Sequence, residues 1–397
     1  MRRALAAALL ALFLAAPSTA SPSASGLREQ LTTSLRGPAT PLGRTAAIAV
    51  DLVTGRLLFA HNATAPTVPA SAEKLPVSFA ALRRLGPTFR FHTDVLGVGF
   101  RDGRTWVGDL VLKGFGDPTL ATADLDELAR DVEAEGIAHV TGRIRGDESF
   151  FDARRDAPGW KAGFLGIESP PLSALVVDRA KGWPRLSPPL LAARAFREAL
   201  LRRGITVDGV HGLGRAPADA LLLAVDRSQR LSRILPQLNR DSDNFAAEML
   251  LKALGASAGG LGTTPAGARV VLEELRTAGI PTQRVRMVDG SGLSEHDRLT
   301  ATALAAVLRA GLSDARIGGA FRSSLAVAGR TGTMRNRLPA LRGSVRAKTG
   351  TTSRASALAG LVGGKVVFAV LHTGTPVNSW AARAAQDRFV TVLASRG

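Results

Sequence analysis

The chain has no cysteine among its 397 residues and no long hydrophobic run. Without cysteine there are no disulfide bonds and no lipid-bearing thiol, so packing alone must stabilise the fold. The apolar run at 4–16 has 13 residues. A membrane-spanning helix needs roughly 20 residues, so we expect no transmembrane anchor. The six histidines form neither an H-x-x-H nor an H-E-x-x-H pattern, and we therefore expect no metal and no cofactor.

The first 20 residues have the composition of a secretory signal. Arg2 and Arg3 precede the apolar run, and the small residues Ser18, Thr19 and Ala20 follow it. We predict a signal peptide over 1–20, cleaved after Ala20. The mature chain is then exported and acts outside the cytoplasm, in a periplasm or cell-wall space.

Acidic residues are scarce relative to basic ones, with 33 Asp and Glu against 51 Lys and Arg and a net charge of +18. Such a field attracts anionic polymers, either of the cell wall or nucleic acid, in a salt-dependent way. The arginines are scattered along the chain, and no motif that reads RNA or DNA accompanies them. We therefore expect no specific nucleic-acid binding.

Strand patterns occur at both ends of the chain with helical patterns between them, which predicts one sheet built from the two ends. After 86–87 the sequence changes to short apolar runs, typical of an insertion. We predict a main domain over 21–88 and 222–397 and an inserted accessory domain over 89–221. Within them we expect a helix over 70–85, helical segments within 227–254, and strands over 140–147 and 172–177.

Three short strings are spaced along the chain: Ser-Ala-Glu-Lys at 71–74, Ser-Asp-Asn at 242–244 and Lys-Thr-Gly at 348–350. Each is common alone, but together and in this order they are typical of an active-site serine acyltransferase. A serine hydroxyl is a weak nucleophile until a base takes its proton, and a lysine one helical turn later can place its amine beside that oxygen. Ser71 is therefore the candidate nucleophile and Lys74 its candidate base.

Further strings surround these three and extend a resemblance over residues 27–396. They are Pro-Ala before Ser71, Gly-Phe-Gly-Asp-Pro-Thr-Leu at 114–120, Gly-Asp-Glu-Ser-Phe-Phe at 146–151, Pro-Gly-Trp at 158–160, Leu-Asn-Arg-Asp at 238–241, Asp-Gly-Ser-Gly-Leu-Ser at 289–294 and Gly-Thr-Met-Arg-Asn-Arg at 332–337. The chain resembles the low-molecular-mass class C penicillin-binding proteins, the D-alanyl-D-alanine carboxypeptidase/endopeptidase family.

The resemblance implies an α/β (α+β) fold, in which a β-lactamase-like transpeptidase domain has an antiparallel sheet flanked by helices and carries an inserted mixed α/β domain. It also implies a serine D,D-carboxypeptidase and D,D-endopeptidase. Such an enzyme cleaves D-Ala-D-Ala and related bonds of peptidoglycan stem peptides through an acyl-enzyme, and β-lactam inhibitors acylate it.

The residues of the three strings suit this chemistry. Ser71 attacks the carbonyl between two D-alanines, and Lys74 takes its proton if burial and crowding by Lys348 lower the lysine pKa. Ser242 and Asn244 are offset by two positions, so both can face one cleft, relay the proton and hold the substrate amide. Hydrolysis of the acyl-enzyme by water completes the reaction.

The third string and the residue after it are the expected substrate-binding strand. Lys348 and Thr349 supply a cation and a hydroxyl for the terminal carboxylate, and Gly350 lets the strand approach the ligand closely. The backbone N–H groups of Ser71 and Thr351 are the expected oxyanion hole, the second by the resemblance.

Three acidic residues bear on substrate choice and on the nucleophile. The resemblance implies that Asp147 helps form a pocket for the free amine of the stem-peptide side chain; the alternative is a turn aspartate that binds its own backbone. Glu295 stands where related enzymes carry an arginine, which leaves the preferred diamino acid open. Glu73 takes a position that is more usually uncharged, and we expect it to point away from Ser71 and Lys74 with little effect.

Two other functions fit the same strings. A class A-like β-lactamase shares the trio, but here 167 residues separate Lys74 from Ser242, and no Glu-x-x-Leu-Asn deacylation loop is present, which favours the peptidase. A non-catalytic wall-binding protein could keep the fold, but the intact Ser71, Lys74, Asn244 and Lys348 argue against it.

Overall fold

The computed structural model describes residues 24–395, and the predicted signal peptide lies outside them. No helix in this part of the chain is both long and apolar enough to span a bilayer. The described strands are β1 (Thr45–Asp51), β2 (Leu57–His61), β3 (His92–Asp102), β4 (Thr105–Gly114), β5 (His139–Val140), β6 (Ile144–Asp147), β7 (Thr206–Val207), β8 (Gly212–Leu213), β9 (Leu221–Arg227), β10 (Ala326–Val327), β11 (Val345–Thr351), β12 (Ala355–Val362) and β13 (Val366–Thr373).

The described helices are α1 (Ala24–Leu35), α2 (Lys74–Arg84), α3 (Thr122–Ala134), α4 (Pro188–Arg202), α5 (Leu231–Asn239), α6 (Asn244–Ala256), α7 (Thr264–Thr277), α8 (Ala301–Ser313), α9 (Gly318–Ser324) and α10 (Ser379–Ala394). Several begin at a side chain that accepts a backbone N–H, as the sequence pattern requires. Thr263 caps α7, Thr300 caps α8 and Asn378 caps α10.

An antiparallel sheet joins the two ends of the chain in the order β10-β11-β12-β13-β1-β2. Strand β1 pairs with β13 along its whole length, with Ala49 opposite Phe368. The predicted sheet built from both chain ends is therefore confirmed.

Both faces of this sheet are covered, and the side chains of β13 show how. Val367, Ala369 and Leu371 face a core shared with α2 and α5 to α8, whereas Phe368 and Val370 face a second core shared with α1 and α10. Because side chains alternate along a strand, a strand buried on both faces has a nearly continuous apolar sequence. The last strands of the chain have that character.

A second sheet is built from residues 92–227. Its order is β7-β5-β4-β3-β9, with β6 beside the second half of β4 and β8 beyond β6. Helices α3 and α4 contribute to its core, where Trp106 and Phe196 are buried. Most of this sheet lies within the region 89–221 predicted as an inserted domain, but its strand β9 continues to Arg227. The domain boundaries stay a prediction.

Two predicted strands of this region differ in the structure. The segment 140–147 divides into the end of β5 and β6, which pair with different halves of β4. The segment 172–177 contains bends and is not a strand. It is mostly apolar because Leu172, Ala174 and Val176 pack into the main core while Leu175 and Val177 pack into the core of the second sheet. Its apolar sequence thus reflects contact with two cores, not a place in a sheet.

Phe389 tests the core beneath α10. It is fully buried, and its ring packs edge-on against Phe59 with a centroid distance of 5.5 Å. We expect Phe389→Ala to lower the free energy of unfolding by about 3–5 kcal/mol, because it leaves a cavity. Thr391→Ala, at an exposed position of the same helix, should change it by less than about 0.5 kcal/mol. Equal urea midpoints for the two variants would contradict this packing.

Candidate active site

Ser71 lies in a short 3-10 turn, Ala70–Glu73, that leads directly into α2. The sequence predicts an ordinary helix from residue 70, whereas the structure begins it with a tighter turn in which Ala70 has a φ of +47°. Two glycines permit this turn to be packed closely. A Cβ on Gly350 would lie 2.9 Å from the Ser71 nitrogen, and one on Gly292 would lie 1.9 Å from the Ala70 oxygen.

The closeness of Gly350 to Ser71 brings the backbone of β11 against the turn that carries the nucleophile. Strand β10 pairs only with Arg346 and Ala347 of β11, so its pairing stops before Lys348. A substrate can therefore lie beside this stretch of strand.

The amine of Lys74 is held by three oxygens. Its Nζ lies 2.9 Å from Ser71 Oγ, 2.8 Å from Asn244 Oδ1 and 2.6 Å from the Ser291 carbonyl oxygen. A neutral amine has two hydrogens and one lone pair. It can donate to Asn244 and Ser291 and accept the Ser71 hydroxyl proton, so the geometry suits a base.

Burial sets the charge state of both lysines in the site. Lys74 is fully buried, and desolvation lowers its pKa from 10.5 to about 8, although the carboxyl groups of Asp289 and Glu248 act in the opposite direction. Lys348 is also fully buried, and desolvation together with the positive charge of Lys74 lowers its pKa well below the usual value. Burial is thus the main cause for both amines.

Ser242, Asp243 and Asn244 form the corner that opens α6. Ser242 adopts a left-handed φ of +64°, and its Oγ accepts a hydrogen bond from Lys348 Nζ at 2.8 Å. Asp243 caps the helix by accepting the Ala246 N–H at 3.1 Å. The structure therefore brings the second and third strings together at the same place as Ser71 and Lys74.

An arginine from the loop between β6 and α4 fixes this corner. Arg179 donates to both carboxylate oxygens of Asp243, each at 2.7 Å, and its guanidinium lies 5.1 Å from the centre of the Phe245 ring. The arginine is the middle of three successive residues with φ near +50°, Asp178 to Ala180. Such backbone costs about 1–3 kcal/mol per residue and persists only where other contacts hold it.

Four buried carboxyl groups lie behind the nucleophile: Glu73, Glu248, Asp289 and Asp297. Asp289 accepts hydrogen bonds from the N–H groups of Gly292 and Ser294 and from the Trp160 indole, at 2.7–2.9 Å. It thereby shapes the segment whose Ser291 carbonyl contacts Lys74.

Glu73 is fully buried, and neither of its carboxyl oxygens has a hydrogen-bond partner. Desolvation and the neighbouring Asp289 and Glu248 raise its pKa well above the ordinary value. Burial therefore favours the neutral form of this carboxyl, which is not a solvated charge on a helix face.

Asp147 is not among the described residues that line the cleft with Ser71. It ends β6 in the second sheet, is 2% exposed, and accepts the Ser149 N–H at 2.8 Å and the Ala216 N–H at 2.9 Å. Both oxygens are occupied by backbone, as in the turn alternative. These contacts favour the turn alternative, and a role for Asp147 in a substrate pocket stays a prediction.

Glu295 is engaged by two cations, the Lys161 amine at 2.6 Å and the Arg354 guanidinium at 3.0 Å. The acidic replacement for the arginine of related enzymes is therefore paired within the chain. These two pairs lower the pKa of Glu295.

The cleft has a volume of about 700 Å³ and is lined by Ser71, Ser242, Asn244, Thr349 and Thr351 of the predicted site. Lys74 and Lys348 lie directly beneath its surface. Sequence reasoning missed other lining residues, among them Glu168, Trp380 and Arg383. The last two lie on α10, far along the chain from the strings, and no local pattern marks them.

A serine beside a desolvated lysine, under one edge of an antiparallel sheet, defines a serine acyltransferase of the penicillin-binding fold. The fold matches that of penicillin-binding protein 4 (dacB) from Haemophilus influenzae, with a TM-score of 0.80 and 22% identity over 92% of this chain and 98% of that one. The same protein in complex with a novel β-lactam matches with a TM-score of 0.74. The predicted fold is confirmed.

The sequence model of the D-Ala-D-Ala carboxypeptidase 3 (S13) family matches residues 27–189 and 184–396, and the chain belongs to this family. It is 31% identical to a D-alanyl-D-alanine carboxypeptidase of an Actinomadura species, over 92% of this chain and 85% of that protein. It is also 31% identical to the carboxypeptidase DacB of Mycolicibacterium smegmatis, over 96% and 86%. The predicted class of enzyme, a serine-type D-Ala-D-Ala carboxypeptidase, is confirmed.

The Arg179 contact with Asp243 can be tested by acylation with benzylpenicillin. We expect Arg179→Ala to slow acylation about tenfold, equivalent to about 1.4 kcal/mol, because Ser242 and Asn244 lose a fixed support. The acylation rate of Arg179→Lys should lie between those of the wild type and Arg179→Ala, since an amine cannot bind both carboxylate oxygens as a guanidinium does. Arg194→Ala removes an exposed ion pair on α4 and should leave the rate unchanged. If Arg179→Ala is acylated at the wild-type rate, Arg179 does not position the corner formed by residues 242–244.

Proposed function

We propose that the chain is exported and hydrolyses D,D-peptide bonds of peptidoglycan stem peptides, with Ser71 as nucleophile and Lys74 as its base. One observation carries the proposal. The Lys74 amine lies within hydrogen-bond distance of Ser71 Oγ while its other contacts are oxygens that can only accept. A lysine so placed can take the hydroxyl proton without rearrangement.

In the acylation step, Ser71 Oγ bonds to the carbonyl carbon of the penultimate D-alanine as its proton passes to Lys74 Nζ. The carbonyl oxygen becomes an oxyanion, for which the backbone N–H groups of Ser71 and Thr351 are the proposed donors. Their strand and turn are in close approach at Gly350. Asn244, whose amide nitrogen donates to the Glu168 carbonyl at 2.9 Å, stands at the side of the cleft where it can hold the substrate amide.

Expulsion of the leaving amine requires a proton. Ser242 Oγ is the proposed relay, because it contacts Lys348 Nζ at 2.8 Å and faces the cleft. Thr349 Oγ1 lies 2.8 Å from Thr333 Oγ1 and is the proposed hydroxyl for the carboxylate of the leaving residue. Water then attacks the acyl-enzyme, and Lys74 can serve as base again.

We propose endopeptidase as well as carboxypeptidase activity. Besides the serine, the cleft lining includes Thr333, Asn336, Glu168 and Leu293. Its volume of about 700 Å³ leaves room for a leaving group larger than free D-alanine. β-Lactams are the proposed inhibitors, because they too carry a reactive carbonyl and an adjacent carboxylate.

The two alternative functions are less well supported. A class A-like β-lactamase is disfavoured by membership of the S13 family, which is a family of peptidases. A non-catalytic wall-binding protein would have no need to keep two amines fully buried beside serine hydroxyls.

Ser71→Ala tests the nucleophile. We expect it to abolish both D-alanine release and acylation by benzylpenicillin, because the covalent bond forms at the missing oxygen. Folding should be retained, since the side chain lies at the cleft surface. Intact-protein and peptide mass spectrometry would locate the penicillin adduct, and an adduct on another residue would refute the assignment.

Lys74 is tested by the pH dependence of acylation. Lysine acts as a base only when neutral, so the second-order rate constant should rise with pH and reach half its plateau near pH 8, not near 10.5. Lys74→Arg should lower the plateau by at least about 100-fold, because a guanidinium does not lose its proton in this range.

Glu73→Gln is the matched control for this experiment. Because burial favours the neutral form of the Glu73 carboxyl, an uncharged amide of the same shape should leave the midpoint of the pH profile near its wild-type value. A profile without a rise between about pH 6 and 9 in the wild-type enzyme would exclude Lys74 as the base.

A further inference from the structure

The charge of Lys348 is not freely available to a substrate. The side chain is fully buried, and its amine donates to Ser242 Oγ at 2.8 Å and to the Thr349 carbonyl oxygen at 2.6 Å. Burial and the positive charge of Lys74 also favour its neutral form by lowering its pKa. A substrate carboxylate therefore needs a second, permanent cation.

Arg383 of α10 supplies such a cation at the cleft. Its side chain is exposed, lines the cleft and donates to Thr351 Oγ1 at 3.2 Å. Among residues 24–395 it forms no ion pair with a carboxylate. The one aspartate in the cleft lining, Asp387, is bound by Arg337 at 2.6 Å. Among the described residues that line the cleft, Arg383 is thus a cation that has no carboxylate partner.

The position of Arg383 matches the expected place of the carboxylate. Side chains two residues apart on a strand point to the same face, so Thr349 and Thr351 project together from β11. Arg383 contacts the second of these hydroxyls. Its guanidinium stays protonated at all working pH values and presents two parallel N–H groups that fit a carboxylate.

We propose that Arg383 binds the carboxylate next to the scissile amide nitrogen and makes the enzyme select substrates that carry it. The proposal rests on the proposed D,D-peptidase function and names the residue that recognises the leaving group. In a D,D-peptide bond the carboxylate sits on the carbon bonded to that nitrogen, whether the leaving group is free D-alanine or the D-centre of a diamino acid in a second stem peptide. One arginine thus serves both substrates.

The test uses two peptides that differ only at their C-terminus, one ending in D-Ala-D-Ala carboxylate and the other in the corresponding amide. The wild-type enzyme should prefer the carboxylate by about ten- to hundredfold in kcat/KM, as expected for one charge-assisted hydrogen-bonded pair. Arg383→Gln should lose most of this preference, mainly through a higher KM for the carboxylate peptide. Arg383→Lys should retain part of it.

Arg335→Gln is the matched control. Arg335 is exposed in the 332–337 segment but does not line the cleft, so its loss changes the net charge equally without removing a contact. The preference should survive in this variant. It should also be constant between about pH 7 and 9 in the wild-type enzyme, because a guanidinium does not titrate there.

Several results would overturn the proposal. These are a wild-type enzyme without the preference, an unchanged KM in Arg383→Gln, or an equal rise of KM in Arg335→Gln. If the amide peptide is cleaved too slowly to follow, the KM for the carboxylate peptide decides alone. Failure of the underlying function would look different, because benzylpenicillin would then leave no adduct on Ser71 in any of these proteins.

Discussion

The geometry of the cleft follows from a single requirement, that an amine be held out of water beside a serine hydroxyl. Taking a lysine ammonium out of water costs several kcal/mol, and the amine meets this cost by losing its proton more readily. Three oxygens around Lys74 Nζ then keep it in place, and two of them cannot donate a proton in return. The remaining contact, Ser71 Oγ, is the one group whose proton the amine can accept.

The carboxyl groups behind Lys74 limit how far its pKa can fall. Asp289 and Glu248 favour the protonated amine, against the desolvation that favours the neutral one. Burial in turn raises the pKa of Glu248 to about 8 and that of Glu73 well above its ordinary value. Burial thus opposes the negative charge of Glu248 and Glu73, and the two effects together leave the pKa of Lys74 at about 8.

The second sheet takes part in this arrangement although it carries none of the three strings. The loop between its strand β6 and helix α4 supplies Arg179, which holds Asp243 at the start of α6. The same loop is anchored to α3 by hydrogen bonds from Thr122 to Asp178. The corner that presents Ser242 and Asn244 is thus braced from outside the sheet to which Lys348 belongs.

Local pattern was enough to predict strands at both ends of the chain, since apolar period and turn residues act over a few positions. The order of the three strings and their chemistry were enough to select Ser71, Lys74, Ser242, Asn244 and Lys348 as the candidate site. The structure brings all five together, and their roles stay predictions. Asp147 shows the limit of this reasoning, because its motif did not reveal that backbone N–H groups from two loops occupy the carboxylate.

Burial and the approach of distant elements were decided by the tertiary structure alone. From its sequence Glu73 is expected to be a surface acid. In the structure it is buried near Glu248 and Asp289, and its pKa is raised. The apolar sequence of 172–177 is typical of a strand, but in the structure its side chains pack into two different cores. Arg383 and Thr351 are 32 residues apart and meet only because α10 packs back over the sheet. Desolvation and contact depend on which elements become neighbours, and no short stretch of sequence contains that information.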